Sequence, residues 1–227
     1  MVGRRERKYR IETMDVDAVR TVLAGHPASF RTAFPDRIVN SIYFDNANLE
    51  CYLDNLHGVR ERAKFRVRWY GDHGNQVPNP VLEIKCKDGD LGWKHIHPLG
   101  DFEFGLGWAA KLQGQLKALA RDPKLLRDTP LLRELLNLRP VVVVDYHRSY
   151  LLSLDQQYRA TVDWQLQFRS VDGRSLPGRP RQDHAVVLEV KYDAALDDDY
   201  DRIGQHLPFR LGKNSKYVAG MLLVGRI

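Results

Sequence analysis

Long apolar runs are missing from this chain. No stretch of about 18 consecutive apolar residues occurs, so no membrane-spanning helix is written into it. The first residues, MVGRRERKYRIE, are basic and polar and lack the apolar centre of a secretory signal. Cysteine is scarce: Cys51 and Cys86 are too few for a disulfide framework, and Cys86 lies in a strand-like run where a buried thiol is expected. These absences set a reducing, cytoplasmic location as the expectation. No fixed-period repeat and no shift in composition divides the chain, so residues 1–227 are expected to form one domain. Charge, in contrast, is plentiful. There are 35 Lys and Arg against 29 Asp and Glu, a net charge of +6. That excess suggests an anionic partner without naming one. A hydrophobic share of 43% supports a real core and excludes wholesale disorder.

The charge is patterned. In ERAKFRVRWYG (61–71), Arg62, Lys64, Arg66 and Arg68 sit at every second position, with Phe65, Val67 and Trp69 between them. As a strand this puts cations on one face and apolar groups on the other. Cations on that face stand roughly 6.7 Å apart. Each adjacent pair repels by about 0.6 kcal/mol in water and about 2.5 kcal/mol at an effective dielectric of 20. The same alternation recurs in 4–12, 81–89, 158–170 and 185–193, where Glu6 and Lys8, Glu83 and Lys85, and Glu189 and Lys191 spell Glu-x-Lys three times. Further strands are expected at 37–46, 91–99 and 139–153. Helices are expected over TMDVDAVRTVLAGHP, with Thr13 or Asp15 as cap, over 47–58, over 108–138 with breaks near Pro123 and Pro130, and around 199–206 and 214–221. About eight strands at hairpin-like spacing predict an α+β fold with antiparallel pairing.

An ordinary half-solvated sheet explains any one of these strands. It explains 60–68 badly, because Arg60, Arg62, Lys64, Arg66 and Arg68 carry no acid on their own face. The alternative is a closed eight-stranded antiparallel tunnel β-barrel with a charged interior, flanked by helices. A tunnel lined by Arg and Lys suits an anion of high charge density, since guanidinium forks match phosphate oxygens. Inward carboxylates would repel that anion unless a hard divalent cation such as Mg²⁺ or Mn²⁺ lies between. A nucleic-acid partner is not expected, because a basic sheet for a nucleic-acid backbone does not explain the interspersed acids.

ERKY near the start, RERAKFRVRWYG, LEIKCK, YHRSY, RATVDW, LEVKY and KNSKY occur in the order expected of a VTC domain. The chain resembles the polyphosphate-polymerase branch of the triphosphate tunnel metalloenzymes over almost its whole length. The resemblance implies transfer of the γ-phosphoryl of ATP onto a growing polyphosphate, with Mn²⁺ or Mg²⁺. It implies that Lys8, Arg66, Arg68, Lys85, Arg148, Arg159 and Lys216 grip phosphates, joined by Lys94 and Lys213. It marks Glu189 as the principal metal ligand, with Glu6 and Glu83 as further candidates. Arg60, Arg62, Lys64 and Lys191 share the charged faces and are expected to contact substrate. Two departures stand out. Arg4 occupies the first position of a Glu-x-Glu-x-Lys motif frequent in the related hydrolase and cyclase branch, which favours the VTC branch. The regulatory domain and membrane helices of fungal relatives are absent from these residues, so passage of polymer through a membrane would need a separate membrane protein. A triphosphatase or polyphosphatase on the same scaffold, or a non-catalytic polyphosphate-binding module, remain the alternatives.

Other groups have simpler expectations. His95 and His97 lack the partners of a metal site. Asp197–Asp199 precedes a short helix and is expected to cap it. Asp163 is expected to pair with an arginine, Trp69, Trp93 and Trp164 to pack strands, and Tyr217 to anchor the last helix. The Gly/Pro/Arg segment 172–184, with Arg174, Arg179 and Arg181, reads as a loop.

Overall fold

The computed structural model describes residues 4–89, 91–171 and 176–225. It is an α+β fold whose large sheet follows the hydrogen-bonded order β1-β11-β9-β8-β2-β3-β5-β6. The strands are β1 (Arg4–Ile11), β2 (Arg31–Asp45), β3 (Glu61–Tyr70), β5 (Val81–Asp88), β6 (Leu91–Pro98), β8 (Arg139–Leu152), β9 (Arg159–Ser170) and β11 (Val186–Asp193). A short β10 (Arg181–Asp183) pairs with β9, while β4 (Gln76–Val77) and β7 (Phe102–Glu103) form a separate small sheet. The pairings β1–β11, β11–β9, β2–β3, β3–β5 and β5–β6 are antiparallel. The order ends at β1 and β6, and a pairing that would close it into a barrel is not among those described.

The chain divides into two compact units. The first comprises Met1–Ile38, Tyr146–Gln167 and Gln182–Ser215; the second comprises Val39–Asp145, Phe168–Arg181 and Lys216–Ile227. In the first, Tyr9, Ile11, Ala160, Val162, Leu188 and Val190 pack under α1 (Val16–Ala24) through Val19 and Leu23. Asp15 caps that helix by accepting from the Ala18 amide at 2.8 Å. In the second, Ile42, Phe44, Phe65, Val67, Trp69, Leu82 and Ile84 pack against α3 (Trp108–Arg121) and the 3-10 turns of Pro130–Leu136. Each buried Val, Leu, Ile or Phe side chain among them contributes roughly 1.5–3 kcal/mol. Alternation explains the result: with odd β3 residues from Phe65 to Trp69 in the core, Lys64, Arg66 and Arg68 must face the other way.

Proline sets the breaks in the helical segment. Asp122 caps α4 (Pro123–Asp128), whose first residue needs no amide partner, and the 3-10 turns begin at Pro130. Gly58, at φ +72°, closes α2 (Glu50–His57) in the left-handed region. Short α5 spans Asp201–Gly204, and the last helix, α6 (Lys216–Leu223), presses Gly220 onto the strands. A Cβ at Gly220 would stand 2.8 Å from Phe168 Cδ1 and 3.2 Å from Val142 Cγ2.

Several expectations need correction. β2 begins at Arg31, because its first seven residues are exposed and carry no apolar period to read. Arg60 lies before β3 rather than on its face. Trp93 is largely exposed on β6, not packed. Asp197–Asp199 does not cap the helix that follows, whose N-cap position is Tyr200; Asp197 ends the 3-10 turn Ala194–Leu196 and accepts from Arg7 at 3.0 Å and from the Tyr192 hydroxyl at 2.7 Å. Part of the expected 172–184 loop is β10, while Arg174 lies outside the described residues.

Candidate functional site: two charged strand faces

Each unit carries its own cluster. In the first, the register sets Lys8 opposite Glu189 and Glu6 opposite Lys191. Lys8 Nζ lies 2.5 Å from Glu6 Oε1 and 3.2 Å from Glu189 Oε2, and donates to the Asn214 carbonyl at 3.3 Å. Lys191 Nζ lies 2.5 Å from Glu189 Oε1 and 4.0 Å from Glu6 Oε2. Arg148 donates twice to buried Asp163, at 2.6 and 2.8 Å, the arginine pairing expected of that aspartate. Burial opposes the charge on Glu189, but Lys8, Lys191 and Arg148 outweigh it and hold its carboxyl well below the usual range. Burial likewise opposes the charge on Lys8, and Glu189 and Glu6 outweigh it in the other direction. Thr161 stands opposite Glu189 in the register, and its buried hydroxyl has no partner among the described residues. Arg159, opposite Lys191, is exposed.

The second unit is built differently. Glu83, only 3% exposed, accepts from Arg66 Nε at 2.7 Å and lies 2.5 Å from Arg66 NH2, 3.5 Å from Arg68 NH1 and 3.0 Å from Lys94 Nζ. Burial raises its pKa, yet these cations dominate and bring it down to about 2. Glu83 therefore serves as their shared counter-ion. One step along the register, Lys64 faces Lys85 and Lys85 faces Lys94, a row of three lysines across three strands. Like charges directly opposite one another destabilise a sheet. Tyr43, opposite Arg66, accepts from its guanidinium at 3.3 Å. Burial would raise the Tyr43 phenol, but the charges of Arg66, Arg68 and Lys216 turn the shift downward. The Tyr43 ring stacks on Tyr217 with centroids 5.1 Å apart. Tyr217 donates to buried Asp45, which also accepts the α2 amides of Cys51 and Tyr52 at 3.0 and 2.9 Å. This chain of contacts is the anchor expected of Tyr217, and it fixes the start of α6 at Lys216.

Other expected residues stand apart. Arg60 is exposed and pairs with Asp88 at 2.7 Å, and Arg62 donates to the Val59 carbonyl at 2.5 Å. Lys213 is exposed before α6. His95 meets the Thr129 hydroxyl at 3.1 Å through Nδ1. Among the described residues, no three His, Cys, Asp or Glu side chains group to hold a metal alone. Sequence reasoning passed over Ser41 and Tyr43. Both lie on the charged face of β2, but tyrosine counts as apolar and one serine makes no pattern.

These faces are those of an antiparallel sheet carrying cations and a few acids at period two. The chain belongs to the VTC domain family, which matches residues 3–224. It is 27% identical over 188 residues to vacuolar transporter chaperone complex subunit 4 of Schizosaccharomyces pombe, covering 74% of this chain and 25% of that protein. It thus spans about a quarter of that relative's length. Among solved structures, a candidate adenylate cyclase from Vibrio parahaemolyticus superposes with a TM-score of 0.51 at 12% identity, over 96% of this chain and 98% of the other. A candidate adenylyl cyclase from Hippeastrum, described as having a dominant triphosphatase activity, gives 0.51 at 12% identity, over 96% and 94%. These two likenesses concern the fold. No helix among the described residues is long and apolar enough to cross a membrane.

Proposed function

We propose that this protein catalyses metal-dependent phosphoryl transfer on triphosphate or polyphosphate, and specifically that it extends polyphosphate from ATP. The carrying observation is the convergence of cations on one strand face of the second unit. Arg66, Arg68 and Lys94 share the single carboxylate of Glu83, with Lys64 and Lys85 in register beside them. Such a face suits the closely spaced oxygens of a condensed phosphate, and phosphoryl transfer asks mainly for positioning and charge neutralisation. Membership of the VTC family supports the reading, as does the relative from a vacuolar transporter chaperone complex. The closed tunnel barrel that the resemblance implies stays part of this proposal, as does a separate membrane protein for any passage of polymer.

The donor chemistry of Glu189 and Glu6 fits a divalent ion: hard oxygens, a carboxyl kept ionised, and an orphaned hydroxyl at Thr161 across from Glu189. With so few protein ligands, phosphate oxygens and water would complete the shell. Bound Mn²⁺ or Mg²⁺ would draw charge from phosphate oxygens as a Lewis acid. Lys8 and Lys191, which hold both carboxylates at present, keep the pair ionised and oriented. Arg148 is held by Asp163, and Arg159 and Lys216 are further phosphate contacts.

Incubation with ATP and Mn²⁺, followed by gel sizing of the phosphate products, tests the reading. Long chains are expected, and Glu189→Gln should abolish them. Phosphate release without chain growth would replace the polymerase with a triphosphatase. Absence of both would overturn phosphoryl transfer.

A further inference from the structure

Two hydroxyls on β2 point to more than packing. The apolar residues Ile42 and Phe44 belong to the core of the second unit, so Ser41 and Tyr43 occupy the opposite, charged face. The register confirms it: Ser41 stands opposite Arg68 and Tyr43 opposite Arg66. Both are deeply buried, at 1% and 4% exposure. Yet the Ser41 hydroxyl has no hydrogen-bond partner among the described residues. A buried hydroxyl without a partner is costly, so its retention asks for a reason. The described bond of Tyr43 is one it accepts, from Arg66 NH1, which leaves its own proton free to donate. The ring cannot easily swing to find an acceptor elsewhere, because it is stacked on Tyr217, itself tied to Asp45.

We infer that Ser41 and Tyr43 are substrate-binding residues, two neutral hydroxyl donors that seat phosphate oxygens of a condensed phosphate beside Arg66 and Arg68. The inference rests on the phosphate reading of this cluster and adds what the cations lack. A lysine or arginine cluster attracts any small anion, chloride included. A hydroxyl held rigidly rewards an oxygen acceptor at one place. Same-face residues two apart on a strand stand roughly 6.7 Å from one another, so the pair marks two points along an extended chain of phosphates. The downward shift of the Tyr43 phenol accords with a strengthened donor.

The test is calorimetric titration of tripolyphosphate, at low and high salt, into wild-type protein, Ser41→Ala and Tyr43→Phe, with melting of each unliganded protein. Each variant should bind about three- to tenfold more weakly than wild type. The factor should hold at both salt concentrations, because no charge is lost. Unliganded Ser41→Ala should melt no lower than wild type, since it sheds an unsatisfied group. Tyr43→Phe keeps the stacked ring. Wild-type affinity in both variants would overturn the hydroxyl assignment and leave the phosphate site standing. A lower melting temperature for Ser41→Ala with unchanged affinity would also overturn it, by making the serine structural. Failure of wild-type protein to bind tripolyphosphate would sink the phosphate reading itself.

Discussion

In the first unit, Glu6, Glu189 and Asp163 answer Lys8, Lys191 and Arg148 one for one. In the second, Arg66, Arg68 and Lys94 converge on one buried carboxylate, Glu83, with Lys64 and Lys85 in register beside them. The two clusters use the same residue types on the same kind of strand face, yet they behave as opposites. In the first cluster each of these acids lies against a cation. In the second, several cations gather at one carboxylate. On the function proposed above, the carboxylates of the first would hold a small cation and the cations of the second would hold phosphate. The same period-two pattern thus yields two chemistries, depending on how many positions the acids take.

The strongest way to break this contrast is to remove Glu83. Glu83→Gln should destabilise the protein by about 3–5 kcal/mol in urea unfolding, since it takes a buried carboxylate from Arg66 and the buried Arg68. Tripolyphosphate should restore part of that loss. Acid gives a graded version of the same change. The Glu83 pKa is about 2, below its ordinary 4.5, so its contribution is fully present above 4.5 and is lost as pH falls toward 2. That contribution is about 3 kcal/mol, and unfolding measured from pH 5 to pH 2 should show it shrink in wild type but not in Glu83→Gln. Tripolyphosphate at about 100 times its dissociation constant should stabilise wild type by about 2.7 kcal/mol. Amide exchange should slow most in β3 and β5. Equal slowing in unliganded protein on adding sodium chloride would instead mark simple screening. The smallest effect concerns the frame. Gly220→Ala forces a methyl against Phe168 and Val142 and should cost about 1–3 kcal/mol. It should also weaken tripolyphosphate binding if Lys216, at the head of the same helix, contributes to the grip.

Much of this arrangement was legible because strand geometry is simple. Once Phe65, Val67 and Trp69 are read as core, the direction of Arg66 and Arg68 follows, and so does that of Glu83 and Lys85. That Asp163 pairs with an arginine followed from its chemistry, but which arginine it takes, Arg148, did not. What escaped was either too short or too ambiguous to carry a period. β4, β7 and β10 are two or three residues long. The outer half of β2 is exposed on every residue and gives no alternation. The row Lys64–Lys85–Lys94 depends on register, which hydrophobic patterning leaves open by steps of two. Tyr43 was hidden by its own dual nature: a core-sized ring carries the hydroxyl that matters.

The alternation on β3 also has a consequence for how the chain reaches its fold. If β3 slipped by one residue against β2 or β5, every side chain would change face. Lys64, Arg66 and Arg68 would then enter the layer now filled by Ile42, Leu82 and Ile84, while Phe65 and Val67 would leave it. Few errors of pairing are so heavily penalised, because isolated charges in an apolar layer cost far more than lost contacts. The cations proposed here to await phosphate would thus act earlier as a proofreading device, rejecting the misaligned sheet during folding, before any substrate is met.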